Sequence, residues 1–382
     1  MTMVKTWKSI HSQNEGTMML PWWPFPWVVS LALSRSAFLQ SALTTVSVGV
    51  PLISSVDESP WIIQMPLEPC SGGCFCVLLN VQGQQVYRAA VDTGSPYLVL
   101  SRNQDTAASK TNSRNELDLL DAGYPPTEEI YGSASGFLDW KQARLDFRSQ
   151  PRLSSQSTIL AVMDGQLNRE TGGTLLGLVK YPNPPRQQDF FRPTWLQQVQ
   201  FKDGSSVSSF SIDQKFLTLS NKSLLQQHVP RIPLVDLRPL GDFIEHYNCQ
   251  VDKIILDGKQ ISSHMLGGRP IVAVLDTGLT GCLVTQPFWD ALTEQLQIDP
   301  RRVKEMVVRV KDVTKKHTVD FISGRAVSKT LFYVAPIDLD WFYDPQKAPL
   351  LIILGQAFLS QGKLTIDTDD RLVSFEVETR PI

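Results

Sequence analysis

The sequence predicts an all-β protein of two similar β-rich lobes with a cleft between them, on three observations. The tripeptide Asp-Thr-Gly occurs twice, at Asp92-Thr93-Gly94 and at Asp276-Thr277-Gly278. Each copy lies between two apolar runs, residues 87–91 and 96–100 in the first case and 271–275 and 282–284 in the second. Gly and Pro number 23 and 25 while charged residues are only 19%, the balance of a turn-rich β chain rather than a helical one.

The length, 382 residues, is enough for two lobes that each bury a core. The net charge of −2 comes from 36 basic and 38 acidic residues, and no basic stretch suits a polyanion, so no nucleic-acid partner is expected. The cysteines are Cys70, Cys74, Cys76, Cys249 and Cys282. The first three lack the spaced second His/Cys pair of a structural zinc site. They read as a local disulfide or as buried thiols, with metal binding the lesser alternative. An odd count leaves at least one thiol unpaired within the chain.

Residues 1–55 read as a targeting region outside the fold. An uncharged, proline-broken stretch over 18–33 follows Lys5 and Lys8, and a second apolar stretch covers 37–53. Neither has the uninterrupted length of a comfortable membrane span. A removable signal sequence is the first expectation, and a retained N-terminal anchor the next. Ser34-Arg35-Ser36 before the second stretch resembles a weakened twin-arginine signal, or the join of a bipartite plastid targeting sequence. The expected location is secretory, endomembrane or extracellular, with the plastid, including its thylakoid lumen, as the alternative.

The remaining elements follow in order. Residues 74–91 predict a hairpin that turns at Gln82-Gly83-Gln84. Residues 103–118 are polar and aperiodic, and predict a surface loop. Tyr131-Gly132-Ser133-Ala134-Ser135-Gly136 is a small-residue turn into Phe137-Leu138-Asp139-Trp140, with 142–147 as the returning strand. Residues 158–163 and 174–179 predict short strands, 194–199 a short helix, and 210–219 one alternating strand. The proline-marked stretch 226–239 predicts the lobe junction, giving an N-terminal lobe over 60–225 with Asp92 and a C-terminal lobe over 226–382 with Asp276. In the second lobe, 251–256, the turn Asp257-Gly258-Lys259 and 271–275 repeat the grammar. Residues 286–297 predict a helix with Phe288, Leu292 and Leu296 on one face, and 350–354 and 363–375 predict the closing strands. Each half also carries an apolar run ending in Leu-Gly, at Thr174-Leu175-Leu176-Gly177 and Ile352-Ile353-Leu354-Gly355. That shared order reads as an internal duplication.

With these parts in this order, the chain from about Cys74 onward resembles the pepsin-like aspartic proteases. Asp92-Thr93-Gly94-Ser95 is similar to the family's first catalytic motif and Asp276-Thr277-Gly278 to its second. Tyr131-Gly132 resembles the flap tyrosine and its glycine, and Ile353-Leu354-Gly355-Gln356-Ala357-Phe358-Leu359 a motif close to the end. The resemblance implies a bilobal aspartic endopeptidase with catalytic Asp92 and Asp276. Two close carboxylates cannot both ionise, so one deprotonates a bound water as the other protonates the peptide carbonyl. Gly94 and Gly278 allow the close backbone approach that keeps the carboxylates coplanar. Thr93 and Thr277 bond across the lobes, the Ser95 hydroxyl favours an ionised carboxylate, and Tyr131 covers the cleft. The implied partner is a polypeptide substrate and the implied state a monomer, with no metal, no cofactor, and membrane contact only through an N-terminal anchor.

Three departures qualify the resemblance. Leu279 stands where the family has Ser or Thr, so the dyad should titrate higher and the optimum move towards neutral pH, unless Thr280 substitutes. Val99 stands where many relatives carry a Trp that holds the flap tyrosine. The span between the targeting region and the first hairpin is too short for an inhibitory prosegment, so a form starting near Ser59 is expected to be active without acid processing. The alternative reading is a catalytically weak or inactive pepsin-fold binding or inhibitor protein. Two motifs in one chain exclude a homodimeric retroviral-type protease. Asn221-Lys222-Ser223 is a glycosylation sequon if the chain enters the secretory route.

Overall fold

The computed structural model describes residues 59–70, 73–83, 85–101, 119–131, 134–147, 157–163, 173–181, 192–242, 244–312, 318–325 and 348–377. Residues 1–55, where a targeting region is expected, and the polar stretch 103–118 lie outside them. Among the described residues strands dominate and helices are short, so the class is all-β.

Asp92 lies in a sheet ordered Glu68–Pro69, Phe75–Val81, Gln85–Asp92, Thr174–Gly177, Leu98–Ser101, Thr158–Met163, Ala134–Ala143, Leu120–Asp121. Thr127–Tyr131 and Leu145–Phe147 pair beside this path, with Ala134–Ala143 and Phe75–Val81 respectively. Asp276 follows a strand of a second sheet, ordered Cys282–Val284, Leu350–Leu354, Ile271–Leu275, Asn248–Leu256, Glu305–Lys311, Thr318–Arg325. A third sheet is ordered Ile62–Pro66, Phe216–Ser220, Ser209–Ile212, Gly362–Asp367, Leu372–Val377, Ile232–Pro233. It therefore joins strands from both halves of the chain.

The apolar runs before the two Asp-Thr-Gly copies, broken only by the exposed Arg88, have a packing cause. Ile271, Ala273 and Leu275 enter the largest core, while Val272 and Val274 pack on the opposite face with Leu237, Ala348 and Leu351. Tyr87, Ala89 and Val91 likewise enter the large core, and Ala90 packs behind with Tyr97, Val99 and Trp140. A strand covered on both faces needs apolar residues at every position.

Several elements match the sequence reading closely. Phe75–Val81 and Gln85–Asp92 form the first hairpin, whose turn puts Gln82 and Gly83 at φ 58° and 70°. The helix Trp195–Gln198 is capped by Thr194, whose hydroxyl accepts from the Gln197 N–H while the Gln197 side chain accepts from the Thr194 N–H. Gln286–Asp290 is α-helical and Ala291–Gln295 continues it as a π turn, with Phe288 and Leu292 buried.

Three expectations are corrected. Phe137–Trp140 does not pair with 142–147: its strand runs Ala134–Ala143, and its hairpin partner is the upstream Thr127–Tyr131. The burial alternation changes phase, from Leu138 and Trp140 to Ala143, Leu145 and Phe147, so the chain past Arg144 faces another core and pairs with Phe75–Val81. Residues 210–219 are a hairpin rather than one strand, because Asp213 Oδ1 accepts from the N–H groups of Lys215 (2.6 Å) and Phe216 (2.7 Å) and turns the chain. The strand expected over 174–179 ends at Gly177, since Leu178 and Val179 give their N–H groups to the first Asp-Thr-Gly loop.

Candidate active site

Both Asp-Thr-Gly copies are built the same way. Thr174–Gly177 runs parallel to Gln85–Asp92, with Gly177 opposite Asp92, and antiparallel to Leu98–Ser101. Leu350–Leu354 runs parallel to Ile271–Leu275 and antiparallel to Cys282–Val284. The two Leu-Gly motifs then close on the loops. Gly177, Leu178 and Val179 donate to the carbonyls of Tyr97 (2.9 Å), Asp92 (2.8 Å) and Ser95 (2.9 Å). Gly355, Gln356 and Ala357 donate to Gly281 (2.9 Å), Leu279 (2.7 Å) and Thr280 (2.9 Å). A side chain at Gly177 would put its Cβ 2.5 Å from the Ser95 oxygen, and one at Gly355 would stand 2.8 Å from the Leu279 carbonyl carbon. Only glycine allows these approaches.

The loops are joined by their threonines. The Thr93 N–H donates to Thr277 Oγ1 (3.0 Å) and the Thr277 N–H to Thr93 Oγ1 (2.9 Å). The Thr93 hydroxyl in turn donates to the Leu275 carbonyl (2.7 Å), and the Thr277 hydroxyl to the Val91 carbonyl (2.8 Å). Both threonines are fully buried. Gln356 holds the second loop from behind through Nε2 to the Thr277 carbonyl (2.9 Å).

This cross-link puts the two carboxylates against each other. Gly94 donates its N–H to Asp92 Oδ1 (2.8 Å) and Gly278 to Asp276 Oδ1 (2.9 Å). A Cβ on Gly94 would stand 2.8 Å from the Asp276 carboxyl carbon, and one on Gly278 2.6 Å from that of Asp92. Burial, and then the neighbouring Asp276 charge, hold the Asp92 carboxyl well above the usual carboxylate range. Burial raises Asp276 as well. There the hydrogen bond from Asp92, the N–H groups of Gly278 and Leu279, and the charge of His246 all favour the ionised form. Both carboxyls are therefore raised, and the pair shares a proton.

Of the residues expected from the sequence, Asp92, Thr93, Gly94, Ser95, Asp276, Thr277 and Gly278 come together here. Ser95 does not act as expected: its hydroxyl is buried and has no hydrogen-bond partner among the described residues, so it does not favour an ionised Asp92. Leu279 lacks a hydroxyl, yet its backbone N–H serves Asp276. Tyr131 ends the strand Thr127–Tyr131; its side chain, and Gly132, lie outside the described residues. Val99 is fully buried between Thr158–Met163 and Thr174–Gly177. An indole of the hairpin's own second strand makes a bond across its base: Trp140 Nε1 donates to Thr127 Oγ1 (3.1 Å).

Sequence reasoning missed a layer behind the dyad. Tyr247 donates its hydroxyl to the Leu178 carbonyl (2.6 Å), and its own carbonyl accepts from Leu275, so one residue touches the supports of both loops. His246 lies beside it, with Nδ1 3.1 Å from Asp242 Oδ2. Nothing in the spacing of these residues marks them in the sequence. Cys70 and Cys76 form a disulfide, and the buried Cys74 thiol between them points at the Gly278 carbonyl (3.7 Å). Cys249 and Cys282 are buried free thiols. Among the described residues no group of His, Cys, Asp or Glu side chains could hold a metal ion, and no helix is long and apolar enough to cross a membrane.

No family model matches the chain, and no curated protein matches it.

Proposed function

We propose that the chain is an aspartic endopeptidase of bilobal, pepsin-like fold, acting on polypeptides as a monomer. The observation that carries this reading is the reciprocal Thr93–Thr277 cross-link, which, with Gly94 and Gly278 each packed against the opposite carboxyl, brings Asp92 and Asp276 face to face. A buried pair sharing one proton is both a general acid and a general base. Asp276, ionised, takes a proton from a water held between the carboxyls as that water attacks the peptide carbonyl carbon. Asp92 gives its proton to the carbonyl oxygen. The tetrahedral intermediate collapses when Asp276 returns the proton to the leaving nitrogen and the gem-diol gives its own back to Asp92.

Cleavage of an unfolded protein between about pH 3 and pH 8, blocked by pepstatin and abolished by Asp92→Asn or Asp276→Asn, is the expected result. A second reading, a pepsin-fold binding or inhibitor protein, is favoured by the unpartnered Ser95 hydroxyl and by Leu279. Absence of cleavage throughout that range would replace the first reading by the second.

The Cys70–Cys76 disulfide supports the secretory route or the extracellular space, where such bonds persist, over plastid delivery. The sequon is poorly placed for glycan. Asn221 Nδ2 donates to Ser205 Oγ (3.1 Å) and Oδ1 accepts from the Trp61 N–H (2.9 Å), so the amide is engaged inside the fold.

A further inference from the structure

Cys70, Cys74 and Cys76 are a cluster of sulfur groups that the two-carboxylate chemistry leaves unused. Cys70 and Cys76 form the disulfide, with their Cα atoms 5.8 Å apart, while Cys74 keeps its thiol. Cys74 and Cys76 are buried in the same small core, and the partly exposed Cys70 packs against it. The strand register brings all three together. Glu68 pairs with Cys76 and Pro69 with Phe75, so the next antiparallel pair is Cys70 with Cys74, and the Cys70 N–H donates to the Cys74 carbonyl (3.0 Å). Residues opposite one another in such a ladder hold their Cα atoms about 4.5–5.5 Å apart and turn their side chains to one face. A disulfide needs a separation of about 4.4–6.8 Å. Cys70 therefore faces Cys74 directly and meets Cys76 on the diagonal, and either sulfur is within its reach.

The cluster also touches the second Asp-Thr-Gly loop. Cys74 Sγ donates to the Gly278 carbonyl (3.7 Å), and a Cβ on the adjacent Gly73 would stand 3.7 Å from Thr280 Cγ2. The bonding state of Cys74 is thus felt by the loop that carries Asp276.

We propose that this cluster is a thiol–disulfide exchange site, with Cys70 as the shared sulfur and Cys74 as the resolving thiol. The Cys74 sulfur bonds to the Cys70 sulfur, the Cys70–Cys76 bond breaks, and the proton of Cys74 passes to Cys76. No net oxidation or reduction occurs. A low-molecular-weight thiol enters the same site by attacking Cys70, the partly exposed sulfur, so that Cys76 leaves as a thiol and the attacking sulfur stays on Cys70. Cys74 then expels that thiol by forming the Cys70–Cys74 bond. In the exchanged form the Cys74 S–H no longer reaches Gly278. The exchange runs whether or not the chain cuts peptides.

The test holds the folded full chain in a glutathione buffer, quenches it with acid, alkylates the thiols and maps the peptides by mass spectrometry. Chymotryptic cleavage after Phe75 tells the isomers apart. The Cys70–Cys76 bond leaves two peptides joined, whereas the Cys70–Cys74 bond frees Cys76 on an alkylated peptide of its own. Both isomers should be recovered from the folded chain. The second isomer appearing only when urea is added would overturn the proposal. Cys76→Ala should form the Cys70–Cys74 bond and carry no glutathione, while Cys74→Ala combined with Cys76→Ala should keep glutathione on Cys70. Glutathione retained on Cys70 in both variants, or Cys70 and Cys74 both alkylated in Cys76→Ala, would remove Cys74 as the resolving thiol. The map of the unsubstituted chain decides the question even where a variant fails to fold.

Discussion

Thr93 and Thr277 exchange backbone N–H to hydroxyl bonds at 3.0 and 2.9 Å, and each passes its own hydroxyl proton to the strand that carries the other. Removing the Thr277 hydroxyl therefore strands the Thr93 N–H and the Val91 carbonyl, both on the first loop and its strand. Thr277→Val should cost about 2–4 kcal/mol, since each buried group left unpaired costs about 1–3 kcal/mol. Thr277→Ser, which keeps the hydroxyl, should cost much less. Urea unfolding of both variants checks this, and equal losses would mean the cross-link contributes packing rather than hydrogen bonds.

Gly278 approaches the opposite carboxylate more closely than any other carbon could. Its substitution to Ala puts a methyl 2.6 Å from the Asp92 carboxyl, well inside contact distance, so the dyad must open. A misplacement of about 1 Å in a reacting pair costs on the order of 100-fold in rate. Gly278→Ala should lose at least that much kcat/KM while keeping a cooperative unfolding transition. Retained activity would show that the carboxyls do not act as a close pair.

The sequence made the dyad loops legible because their chemistry is local. Asp-Thr-Gly between apolar runs, and the glycines at 177 and 355 that let the loops close, are fixed by steric needs that any reader of residues can see. Pairing partners are not local. Ala134, Ser135 and Gly136 looked like part of a turn because they are small, but they open the returning strand, where Ala134 pairs with Tyr131. The sheet joining Ile62–Pro66 to Gly362–Asp367 through Ser209–Ile212 and Phe216–Ser220 depends on contacts between distant parts of the chain. Tyr247 was hidden for the same reason: only the fold brings its hydroxyl to the Leu178 carbonyl and its own carbonyl to the Leu275 N–H.

The hairpin Thr127–Tyr131 with Ala134–Ala143 is anchored at its base, where the Trp140 indole N–H meets Thr127 Oγ1 at 3.1 Å. Tyr97 stacks edge-on to that indole at 4.8 Å, so the ring cannot turn to seek another acceptor. Thr127→Val leaves the indole N–H buried and unpaired, costing about 1–3 kcal/mol. Hydrogen exchange should quicken over residues 127–131, and KM should rise more than kcat falls. Thr127→Ser should reverse both effects; unchanged exchange in the valine variant would remove Thr127 as the anchor.

Asp92 also leaves a signature in stability. Its folded-state carboxyl titrates well above its unfolded value of about 3.9, through burial first and the Asp276 charge second. The folded chain then binds more protons than the unfolded one above about pH 4, so this group lowers stability as pH rises through that window. Asp92→Asn removes the penalty, because its amide can still accept from Gly94 and donate to Asp276. The variant should match the parent near pH 3 and exceed it in Tm near pH 7. A difference in Tm that stays constant over the range would contradict the direction of the shift.

Leu279→Thr tests the departure most visible in the sequence. A hydroxyl at this position can reach the Asp276 carboxylate and favours its ionised form, so the acidic limb of the pH–rate profile should move to lower pH. The movement should be less than about one unit, because the N–H groups of Gly278 and Leu279 and the charge of His246 already serve that carboxylate. The profile of the unsubstituted chain bears on the premise: a peak near pH 3 would mean the missing hydroxyl has been compensated in full. An unmoved limb would mean that residue 279 acts on Asp276 through its backbone alone.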